Sequence, residues 1–189
     1  MVKMSRNGFK IRRVRPHYSI GARGFTLIEI LIVVVILGIM ATIVVPQMSG
    51  ASKEARENTL KDELRYLRTQ IQVFKAQHGD LSAGYPNGNI AAVPTEAAFL
   101  DQMTHCSSEK CATSATGSPV YKLGPYLSRM PDNPINGTNA IKVIPDAAPM
   151  PAPNPAEATK YGWIYKPSTQ EIIANSTGVD SAGMSYGKY

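Results

Sequence analysis

Between Phe25 and Val45 the chain runs through 21 consecutive residues with a single charged side chain, Glu29, and the next charge comes only at Lys53. As a helix such a stretch spans about 31 Å, the thickness of a bilayer's hydrocarbon core. A segment this apolar must lie in lipid or inside an assembly. Seven cations precede it without one acid: Lys3, Arg6, Lys10, Arg12, Arg13, Arg15 and Arg23. The cations beyond it, Lys53, Arg56, Lys61 and Arg65, are interleaved with Glu54, Glu57, Asp62 and Glu63. The positive-inside bias therefore leaves the N-terminus in the cytoplasm and carries the C-terminal bulk outside. An ordinary secretory signal, cut near Ser49 and Ala51, is the competing reading. Its apolar region would hold roughly 7 to 15 residues and no acid, which this segment exceeds on both counts.

The formal charge of +6 belongs to the leader: beyond Gly24, 13 cations face 14 acids. Nothing in the bulk of the chain resembles a phosphate-tracking surface, so nucleic acid is not an expected partner. Past the apolar segment, Leu60, Leu64, Leu67, Ile71 and Phe74 recur at alternating steps of four and three, which predicts an amphipathic continuation of the helix to about His78. Glu57 and Lys61 are spaced to pair along it, and Gly79 supplies a stop. A helix from Phe25 to His78 would be about 80 Å long, beyond the reach of one globular core. Pro46 removes a backbone donor and predicts a kink, as either a membrane-exit signal or a hinge.

Residues 79–189 form a loop-rich outer head holding 12 of the 14 prolines. Thr95 is placed to cap a short helix with Phe99, Leu100 and Met103 on one side, and Leu123–Met130 reads as another helical turn. Ala140–Ile144 reads as a strand, and Gly162–Lys166 with Glu171–Asn175 as a hairpin, giving an α+β head with a small antiparallel sheet. The five prolines from Pro145 to Pro155 predict an extended, solvated loop. Cys106 and Cys111, both on the oxidising side, are expected to form a local disulfide adding about 2 kcal/mol. Zinc is the alternative, but it would need two further ligands, and only His105 stands close in sequence.

Chemistry converges on Glu29, because a carboxylate in an apolar helix is costly enough to imply a function. Its alternatives are snorkelling to the headgroups or resting near the positive helix N-terminus. Catalytic patterns are missing from the sequence: His17, His78 and His105 are scattered, and Asp101, Glu109 and Asp132 are spaced like solvated charges. Trp163 reads as core in a hairpin beside Ile164 and Tyr165, with a binding anchor as the alternative.

The basic leader, the Gly24-Phe25-Thr26-Leu27-Ile28-Glu29 junction, the apolar run and Pro46 together resemble type IV pilins and type II secretion pseudopilins. The segments Leu127–Pro134 and Gly162–Asn175 are similar to parts of major-type pseudopilin heads. The resemblance implies a pilin-like α+β fold with four segments: a leader (1–24) that is removed, a transmembrane and filament-core helix (25–45), its amphipathic continuation (46–78) and the head (79–189). It implies cleavage by a prepilin peptidase between Gly24 and Phe25, N-methylation of Phe25, and pairing of the new amine with Glu29 of a neighbouring subunit to set filament register. It further implies a non-enzymatic structural role in a helical pseudopilus exporting proteins across the outer membrane. The partners would be copies of itself, other pseudopilins, the inner-membrane assembly platform and the lipid bilayer. A pilus or DNA-uptake pilin is the alternative, and a membrane-anchored outer enzyme a more distant one. Some of these heads hold calcium in an acidic C-terminal loop, but here Asp180 stands alone among Gly and Ser, so no cofactor is expected.

Overall fold

The structure, a computed structural model, describes residues 24–189, with the side chains of 45–49 left out of the description. The basic leader, residues 1–23, lies outside the described residues. The chain divides into two compact units, residues 1–45 and 46–189. Helix α1 (Leu27–Gln77) is assigned over 51 residues. Pro46, where a kink is expected, falls in the 45–49 stretch and so outside the described side chains.

In the first unit, Leu27–Val44 is an 18-residue apolar helical segment of mean hydropathy 3.0, with none of its residues buried. In the second, the heptad-like spacing on α1 works as a packing stripe: Leu60, Leu64, Leu67 and Phe74 are fully buried and Ile71 nearly so. α1 ends as Gly79 turns to φ +62°, a left-handed conformation that lets the Asp80 amide reach back to the Lys75 carbonyl at 3.0 Å.

Helix α2 (Glu96–Thr104) starts where the Thr95 hydroxyl accepts from the Ala98 amide at 3.1 Å. Phe99 and Met103 bury completely against the stripe, while Leu100 packs at its margin. Strands β1 (Cys106–Ser107) and β2 (Thr113–Ser114) form a short antiparallel ladder. Strands β3 (Ile141–Val143), β4 (Trp163–Lys166) and β5 (Glu171–Ala174) form a sheet in that order. Alternation along it sorts the side chains. Trp163, Tyr165, Ile172 and Ala174 join the main core with the stripe, whereas Ile164 and Ile173 meet Ile144 in a smaller cluster on the other face.

Three expectations need correction. The sheet is mixed, because β3 runs parallel to β4, and only β4 and β5 make the antiparallel hairpin. Parallel strands require a long crossover, which the proline-rich connection from Pro145 to Gly162 supplies. That connection is not simply solvated either. Ala148 and Met150 cover the smaller cluster, the Lys166 ammonium donates to the Ala148 carbonyl, and the Tyr85 hydroxyl donates to Asp146 at 2.7 Å. Finally, Leu123–Met130 is not helical. Leu123 exchanges both backbone bonds with Ser107, and Gly124 sits at φ +72° before Pro125, a pair of residues that ends any helical course.

Candidate functional site

The α1 N-terminus is built by a reciprocal cap. The Thr26 hydroxyl oxygen accepts from the Glu29 amide at 3.2 Å, and Glu29 Oε2 accepts from both the amide and the hydroxyl of Thr26 at 2.8 Å. A Thr-x-x-Glu box of this kind satisfies donors that a helix start leaves open. Glu29 therefore has a local partner within its own chain. The Thr26-x-x-Glu29 spacing is the sequence signal of this box. Gly24 and Phe25 are exposed just before the cap, with Phe25 at 81%. From Leu27 onward the segment presents Ile, Leu and Val side chains around its whole circumference, most about half accessible or more.

In the second unit, two carboxylates, Glu57 and Asp180, are handled differently. Glu57, on α1 yet only 1% exposed, accepts at Oε2 from the Ser181 amide and hydroxyl, each at 3.1 Å. Its Oε1 accepts from the Tyr186 hydroxyl at 3.0 Å and lies 3.5 Å from the Lys53 ammonium. Burial alone would raise this carboxyl's pKa. The Ser181 amide, the Tyr186 and Ser181 hydroxyls and Lys53 outweigh it and hold the group below its usual range. The Glu57–Lys61 pair expected from spacing does not form, since Lys61 reaches Asp180 instead, at 3.3 Å. The C-terminal residues are thereby clasped to α1, and Arg68 adds bonds to the carbonyls of Ile172 and Tyr189.

The two cysteines are free, so the expected disulfide is corrected. Cys111 turns at φ +62° into the main core beside Gly88, while the half-buried Cys106 sulfur faces the backbone at Gly117. Burial pushes the Cys111 thiol up to about 11, far from the thiolate needed for metal binding or exchange. Trp163 is fully buried and donates to the Pro131 carbonyl at 2.9 Å, so it is core. Asn133, also fully buried, ties the Leu127–Pro134 segment to the Gly162 carbonyl and to Ser176.

The other polar candidates are dispersed. Asp101 faces His105, Glu109 meets Lys122 at 2.8 Å, and Asp132 meets Arg129, three separate surface pairs. His78 is buried, bonded to the Phe74 carbonyl and to the Ser107 hydroxyl, with Ser107 fully covered, so no substrate can reach that contact.

Residues 21–45 match the prokaryotic N-terminal methylation motif. The chain is 30% identical to the type II secretion system core protein G of Klebsiella pneumoniae over 112 residues, covering 59% of this chain and 68% of that one. It is 38% identical to the Klebsiella michiganensis protein of the same name over 115 residues, 61% of this chain and 69% of the relative. The chain belongs to the type II secretion system core protein G family. The Aeromonas hydrophila member is 28% identical over 111 residues, and there the match spans 59% of this chain and 66% of the relative. No solved structure matches. The family fits the α+β layout of a long N-terminal helix and a small-sheet head, and fits an inner-membrane anchor made from the one apolar segment among the described residues. The relatives are named as core proteins of the type II secretion system.

Proposed function

We propose that the protein is a major-type subunit of a helical pseudopilus that exports proteins through an outer-membrane channel. Before assembly it sits as a single-pass protein of the bacterial inner membrane, with its leader cytoplasmic and its head periplasmic. Prepilin peptidase cuts the exposed Gly24–Phe25 bond and Phe25 is methylated. The observation that carries this reading is the apolar surface of Leu27–Val44, all eighteen residues unburied, with a single carboxylate at its start. At about 25 cal/mol per Å² of apolar area, such a surface is driven strongly toward lipid or like helices and cannot stay in water. The assembly platform draws subunits from lipid, and helix contacts with other copies and with other pseudopilins replace lipid contacts.

Glu29 sets the register. Its carboxylate lies at the helix start with or without the cap, and there it meets the Phe25 amine of a neighbouring copy, cationic at neutral pH. A misaligned neighbour leaves both charges unpaired away from water, which costs more than the aligned pair gains. The test is filament assembly and secretion in cells carrying Glu29→Ala beside Thr26→Ala. Loss of filaments in the first with retention in the second is expected, because Thr26→Ala removes the cap and leaves the charge. Normal filaments in Glu29→Ala would overturn the register role. N-terminal sequencing that begins anywhere but a methylated Phe25 would overturn the processing.

A further inference from the structure

The resemblance to heads that hold calcium in a C-terminal loop directs the question of metal binding to the C-terminal clasp. Its residues can be tested for fit. Asp180 is only 6% exposed and its carboxylate is saturated with donors. Oδ1 accepts from the amides of Ala182 and Met184 at 2.9 and 2.8 Å, and Oδ2 from the Tyr189 hydroxyl at 2.7 Å and the Lys61 ammonium at 3.3 Å. All four neighbours direct hydrogens at the carboxylate, and a metal needs oxygen lone pairs, six to eight of them for calcium. The other carboxylate close by, Glu57, is equally spent on Ser181, Tyr186 and Lys53. Among the described residues no group of three or more His, Cys, Asp or Glu side chains is arranged to hold a metal ion. The clasp does not fit calcium.

It already contains a cation. The Lys61 ammonium sits against Asp180 and lies 4.6 Å from the centre of the Tyr189 ring, so the same charge is held by a carboxylate and by an aromatic face. We propose that Lys61 is the built-in counter-ion of the C-terminal clasp, and that this head therefore holds residues 178–189 against α1 without any divalent metal. Lysine reaches this position from α1, two turns before Arg68, which binds the end of the same segment. The tail is thus fixed to one helix face by two fixed charges, and its order does not depend on the ion content of the medium. The inference is independent of how the subunit assembles.

The experiment uses the full chain purified in detergent, with thermal unfolding and hydrogen exchange of residues 178–189 measured in excess calcium and in chelator. The wild type is expected to show the same Tm and the same tail protection in both. Lys61→Met should speed tail exchange roughly tenfold, with no rescue by calcium, and Lys61→Arg should restore most of the protection. A calcium-induced rise in the wild-type Tm would overturn the proposal, as would Lys61→Met with unchanged tail protection. Should Lys61→Met fail to fold, Tyr189→Phe removes only one donor, the ring's hydroxyl, and keeps the aromatic face. Faster tail exchange, equal with and without calcium, is then expected, and a newly acquired calcium dependence would overturn the proposal.

Discussion

The two portions of α1, Leu27–Val44 and Lys53–Gln77, share a backbone conformation and little else. The first is apolar on every side and buries nothing within the chain. The second concentrates Leu60, Leu64, Leu67, Ile71 and Phe74 into one stripe and buries that stripe. Their carboxylates differ in the same way. Glu29 is satisfied by Thr26, three residues away, whereas Glu57 is satisfied by Ser181 and Tyr186, over 120 residues away. A helix can thus be self-sufficient at its start and still depend on distant chain further along. Its first portion is defined by what surrounds the chain, and its second by the chain itself.

Truncating both portions tests this contrast most severely. Leu64→Ala should cost about 2 to 5 kcal/mol of head stability, because a fully enclosed side chain leaves a cavity. Leu31→Ala, on the exposed portion, should leave denaturant unfolding of the head unchanged. Equal losses from the two would break the distinction.

Acid titration sharpens it at the clasp. The Tyr189 hydroxyl, the Met184 amide and Lys61 hold Asp180 at about 2, below its ordinary 3.8, and Glu57 is also held low. A depressed carboxyl contributes stability that is present above its unfolded pKa and is lost as pH falls through the folded one. Lys53, Lys61, Tyr186 and Tyr189 are the charged and titratable groups against the pair, and burial raises the two phenols above their usual range. Tail protection should therefore be full at neutral pH and decline from about pH 4 to about pH 2, and Asp180→Asn should remove most of that dependence. Hydrogen exchange against pH measures it.

The smallest expected effect concerns the thiols. Reducing agent should leave the Tm unchanged. Alkylation should modify the half-buried Cys106 first and reach Cys111 only on unfolding.

Periodicity made much of this protein legible. The apolar segment, the stripe on α1, the Thr95 cap and the hairpin of β4 and β5 all follow from patterns repeated every two to four residues, which a linear reading detects. The misreadings share one cause. Glu57 and Lys61 are spaced to pair on a helix, yet stronger offers come from Ser181 and Asp180, which no local pattern connects to them. Cys106 and Cys111 are near enough in sequence to bridge, but the backbone turn at Cys111 sends one thiol into the core and leaves the other facing Gly117. The parallel pairing of β3 with β4 depends on a crossover whose path is set by contacts at Ala148, Met150 and Asp146.

By itself the sequence determined which segment is apolar enough to meet lipid and which helix face turns inward, because hydrophobicity and charge act over a few neighbouring residues. Only the tertiary structure decided which charges the tail would satisfy, whether the thiols meet and which way β3 runs. Those outcomes are competitions among partners distant in sequence, and geometry in three dimensions selects the winner.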